Sequence, residues 1–176
     1  MAISKAVQGW KDYRPLAAKI FVAAAFVVHF WTIFNMLFDV PSWILRMNVG
    51  ELIGEIGYTM TFALGESLLL AFPLVIIGIF LSRKWREKHL VPVATIAILL
   101  LALAALLLQF FEKLWNFEKL IAGVWLGATI SLGLLSVRFE GFGRQIDLTL
   151  ERMMVLIYFY LAIDFLGLFV VLVRNL

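Results

Sequence analysis

Three side chains that can exchange a proton or carry charge stand inside runs of apolar residues: His29, Glu66 and Asp164. A charged group at the centre of a bilayer costs ~2.5–3.5 kcal/mol on insertion scales, so each of them calls for a partner. Glu66 is the plainest case, flanked by Gly65 and Ser67 in the stretch Glu51 to Leu81. Upstream of it, Glu51 and Glu55 are spaced i, i+4. On an unbroken helix turning ~100° per residue, Glu51, Glu55, Tyr58, Thr59 and Glu66 share a stripe roughly 100° wide. Acids and a histidine at membrane depth are the parts of interhelical hydrogen bonds and of proton relays.

Composition says what must position them. Of 176 residues, 64% are hydrophobic and 15% charged. Long apolar runs recur along the whole length, which implies a polytopic membrane protein rather than a soluble domain. The net charge of +3 sits in basic clusters between those runs, a membrane-topology pattern rather than a nucleic-acid footprint. There is no cysteine, so disulfides, thiolate metal sites and cysteine nucleophiles are excluded. A bis-histidine haem would need both His29 and His89, which lie in very different settings. The first apolar run is too long for a cleaved leader and reads as a retained membrane helix.

The expected architecture is all-α, a bundle of five membrane helices in a single domain with amphipathic interfacial connectors. The spans are expected at about 15–38, 58–81, 91–110, 119–137 and 153–173. Residues 1–14, with Trp10 and Tyr13, read as an interfacial segment. Asp39 and Pro41 are expected to end the first helix, leaving 39–50 as a connection at the headgroups. Pro73 should kink the second span, and Ser82 to His89 reads as a basic loop. The third span, almost purely Leu, Ala, Ile and Val, is expected to face lipid or a partner. The repeated FEKL at 111–114 and 117–120 reads as a solvated turn. Arg138 to Arg152 is expected to be a polar connection, flexible at Gly141 and Gly143 and helical after them. In the fourth span, Gly123, Gly127 and Ser131 place small side chains on one face, which should seat that helix against other helices.

Lys and Arg divide eleven to four between the two sides of such a bundle, which puts the amino terminus inside and the carboxyl terminus outside. His29, Glu66, Thr129 and Asp164 then each lie eight to ten residues from the outer end of their spans. At ~1.5 Å per residue they share one level, roughly 12–15 Å below the outer boundary. Such a layer would serve as packing glue, with hydrogen bonds of ~0.6–2 kcal/mol each. It would equally serve a proton or cation path fed by Glu51 and Glu55, though no polar ladder continues to the inner face. One histidine and two carboxylates can also hold a divalent ion, but these come from three helices without a recognisable spacing, and no metal is expected.

No H-E-x-x-H, phosphate loop or G-x-S-x-G is present, and Gly65-Glu66-Ser67-Leu68 is not a nucleophile elbow. In topology alone, the five spans resemble the membrane portion of lipid-headgroup transferases of the sulfatase-like class. The resemblance carries over no residue of the metal-binding domain that follows in that class. The expected function is a non-catalytic integral membrane protein of the cell membrane, a small subunit or scaffold working by helix packing. The alternative is a proton- or cation-coupled transporter or channel. The expected partners are the bilayer and other membrane subunits or a second copy, with no nucleic acid; the sequence names no cofactor.

Overall fold

A computed structural model of the chain describes the backbone of residues 2–111 and 116–176, and the side chains of 13–111, 116–117 and 119–176. Among these residues the structure is wholly helical. Five helices are long and apolar enough to cross a membrane. They are α1 (Ala2–Arg46), α2 (Val49–Phe80), α3 (Arg83–Phe110), α4 (Glu118–Arg138) and α5 (Glu140–Asn175). The side chains of residues 1–12, the greater part of the expected interfacial segment, lie outside the described residues, as do Glu112 to Trp115 of the FEKL turn.

The helices run further than the sequence suggests. Asp39 and Pro41 do not end α1, which continues to Arg46; a proline removes one backbone donor, and the flanking turns carry the helix on. The expected interfacial connection shrinks to Met47 and Asn48. There Asn48 Oδ1 accepts from the Glu51 amide at 3.0 Å, and Glu51 Oε2 accepts from the Asn48 amide at 2.9 Å. This reciprocal capping box satisfies donors that a helix start leaves open, and it fixes where α2 begins. α2 runs unbroken through Pro73 to Phe80. The basic stretch after it is not a loop either. It forms the first turns of α3, with a widened π turn over Arg86–Leu90. There the guanidinium of Arg86 lies 4.1 Å from the centre of the Tyr13 ring and donates to its hydroxyl at 2.6 Å. Gly141 and Gly143 lie within α5, whose start is separated from α4 by Phe139 alone.

α1 is the hub, packing on α2, α5 and α3, while α2 also packs on α5. The core fills one half of the bundle, from Leu16, Ile20, Ala23 and Ala24 of α1, Ala71 of α2, Leu90, Val91, Ala94 and Ile98 of α3, and Leu150 of α5. The first half of α3 therefore belongs to the core, not to the outer surface as expected. Ala23, Ala24, Ala71 and Ala94 are part of this core, and side chains this small let the helix backbones approach closely. The other half of the bundle closes at Gly57 and Gly167. A Cβ on Gly167 would stand 2.8 Å from the Gly57 carbonyl oxygen, so α2 and α5 touch backbone to backbone. α4 stands at the edge, mainly against α3, where Trp125 Nε1 reaches the Ala97 carbonyl at 3.4 Å.

Candidate functional site

A fully enclosed polar pair is built from two helices. His29 of α1 is 1% exposed and Asp164 of α5 is fully buried. His29 Nε2 and Asp164 Oδ1 lie 2.9 Å apart. One turn earlier on each helix, a further residue fixes the imidazole. His29 Nδ1 lies 2.9 Å from the Ala25 carbonyl oxygen, and the Tyr160 ring stacks on the imidazole with centroids 4.7 Å apart at 22°. A carbonyl oxygen only accepts, so Nδ1 carries hydrogen. That leaves one proton to be shared between Nε2 and Oδ1: on Nε2 the pair is imidazolium and carboxylate, on Oδ1 it is neutral imidazole and carboxylic acid. The other carboxyl oxygen, Oδ2, is buried and has no hydrogen-bond partner. The adjoining crevice, between Val22, Phe26, Met153 and Tyr160, is too small for a water molecule.

A second bridge ties the same two helices. Lys19 Nζ lies 2.8 Å from Asp147 Oδ1 and 2.8 Å from Glu151 Oε1. Lys19 precedes His29 in α1 as Asp147 and Glu151 precede Asp164 in α5, so the helices run parallel and are joined at two heights. The sequence signal for this bridge was the i, i+4 acid pair at the start of α5, with a single lysine inside the first apolar run. Tyr160 was likewise legible only as a residue one turn before Asp164.

The structure brings His29 and Asp164 together, and places the other candidates elsewhere. Counted from the hairpin, His29 stands 17 residues before Arg46 and Glu66 stands 17 after Val49, so their backbones share a height. Glu66 nonetheless turns away from the pair. It lies on a groove of about 680 Å³ between α1, α2 and α3, open along one side. Phe26, Phe30, Trp31 and Phe34 of α1 and Phe110 of α3 line that groove, with Gln109 as its other polar side chain. Among the described residues, nothing in the chain hydrogen-bonds or ion-pairs with Glu66. Thr129 is half-buried in α4, its hydroxyl oxygen without a partner and bonded to neither His29 nor Asp164. Glu51 is occupied by the capping box, and Glu55 is half-buried. Gly123, Gly127 and Ser131 are exposed, and a Cβ on either glycine would meet nothing within 4 Å. Among the described residues, no group of three His, Asp or Glu side chains gathers as a metal site.

No family model matches this chain, and no curated protein or solved structure shows significant similarity to it. The geometry of its own residues carries the functional reading.

Proposed function

We propose that the chain is a non-catalytic integral membrane protein that works by helix packing, as a small subunit or scaffold of a larger complex in the cell membrane. Its amino terminus faces the inside and its carboxyl terminus the outside. Large apolar side chains exposed along every helix, such as Leu37, Leu69, Leu103, Val124 and Phe165, support a lipid environment. The eleven-to-four division of Lys and Arg supports the orientation.

One observation carries the partner. α4 is held at the bundle's edge, and it presents Gly123, Gly127 and Ser131 on an exposed face with open space beyond. Small residues at this spacing let a second helix approach closely. The chain has no native cysteine, so the test is clean. A Gly127→Cys variant in native membranes, treated with a bifunctional thiol-directed photocrosslinker, is expected to yield a discrete adduct with a partner or a second copy. A Leu69→Cys variant on the exposed face of α2 is expected to yield none. A Gly127→Cys chain that stays monomeric throughout would overturn the subunit reading.

A second reading, a proton- or cation-coupled transporter, is favoured by the buried Asp164 Oδ2 that lacks a partner beside His29. Intramembrane acids paired with histidine are relay parts. Ion flux in proteoliposomes that persists unchanged in Asp164→Asn would remove it.

A further inference from the structure

Glu66 stands near the middle of α2, 17 residues after Val49 and 14 before Phe80. It is exposed, it has no partner among the described residues, and it shares its groove with five aromatic rings. We propose that this groove binds a lipophilic organic cation, with Glu66 as counter-ion and the rings as its walls. The inference goes beyond the scaffold reading and shares with it only the placement of the helices in a bilayer.

Four observations select this occupant. The first is charge. An ionised carboxylate in an apolar surround is stable only beside a cation. The second is what the groove lacks. A calcium-like ion takes six to eight oxygen ligands, and magnesium needs an octahedral set. Here only Glu66 and the Gln109 amide line the site with polar side chains. A delocalised or quaternary cation needs no such shell. The third is the lining. Cations are held over aromatic faces within ~6 Å of the ring centre. Trp31 organises that wall, its ring 5.7 Å from Phe34 and 6.2 Å from Phe110, the latter edge-on. The fourth is size. The volume of about 680 Å³ falls within the ~300–1,000 Å³ of small-molecule sites. Along α1 the aromatic wall from Phe26 to Phe34 runs about 12 Å. A membrane-crossing partner helix is about 30 Å long. The open side gives a lipid-dissolved molecule access without passing through the core.

The test uses the full chain in nanodiscs with tetraphenylphosphonium as probe. Saturable binding is expected, weakened by at least about tenfold in Glu66→Gln, since that change removes the counter-ion and keeps the shape. Trp31→Leu is expected to weaken it ~2–30-fold, the range of a cation over an aromatic face. Leu70→Trp, which fills the groove without changing charge, is expected to abolish it. Asp39→Asn, exposed and outside the groove, should bind as the parent does. Equal binding by the neutral triphenylphosphine oxide, or undiminished binding by a folded Glu66→Gln, would mean a merely apolar groove filled by lipid, and would overturn the proposal. So would a folded parent chain that binds no tetraphenylphosphonium. If Gly127→Cys crosslinking fails while binding holds, the subunit reading falls alone; the reverse result removes the cation site alone.

Discussion

His29 and Asp164 are 135 positions apart in sequence and 2.9 Å apart in space, and together they close the contact between the first and last helices. Each side chain is at most 1% exposed. In a setting without water, such a pair is strongly directional: the energy lies less in making the bond than in what is left buried if it is lost.

That asymmetry separates two substitutions. Asp164→Asn keeps a donor for the neutral form of His29 Nε2, and should lower unfolding stability in mild detergent by less than about 1 kcal/mol. Asp164→Ala leaves Nε2 buried without a partner, and should cost ~1–3 kcal/mol. Graded SDS unfolding of both variants reads the difference. Equal losses would assign the effect to volume instead of hydrogen bonding.

The Gly57–Gly167 contact gives a steric prediction. A Cβ at Gly167 would meet the Gly57 carbonyl oxygen at 2.8 Å, which is backbone and cannot rotate aside. Gly167→Val should therefore separate α2 from α5 and cost ~1–3 kcal/mol. Gly123→Val, with nothing within 4 Å, should leave the stability of the isolated chain within about 0.5 kcal/mol. The same unfolding assay ranks the two.

The α1–α2 hairpin has its own lever. Asn48→Ala removes the side-chain half of the capping box and should cost ~0.5–2 kcal/mol. Hydrogen exchange should show the added opening confined to the amides at the start of α2. Protection lost evenly along the helix would contradict a local cap.

Much of this architecture was legible in the chain. Five apolar runs of membrane-crossing length give five helices, because length and composition alone meet that condition. Helix ends were harder. Asp39, Pro41, Gly141 and Gly143 are breakers by local propensity, yet the helices continue through them, since one missing donor or one flexible residue does not outweigh the hydrogen-bonded turns around it. Side-chain direction was harder still. Glu66 and Ser67 are neighbours, yet Ser67 is fully buried and bonded to the Ala63 carbonyl while Glu66 faces the groove. Counting residues along a helix gives the height of a group, whereas the face it occupies depends on which neighbours pack there. For the same reason the small residues at Gly57 and Gly167 make the close helix contact, and those at Gly123 and Gly127 are left open. Nothing in a count of spacings distinguishes the two pairs.

The stability of the bundle is expected to depend on His29 and Asp164 acting on each other. A double-mutant cycle in detergent, with His29→Ala, Asp164→Ala and the two combined, measures that directly. The combined loss is expected to fall short of the two single losses added together by ~0.5–2 kcal/mol, because removing either partner already ends the interaction. Losses that simply add would contradict it.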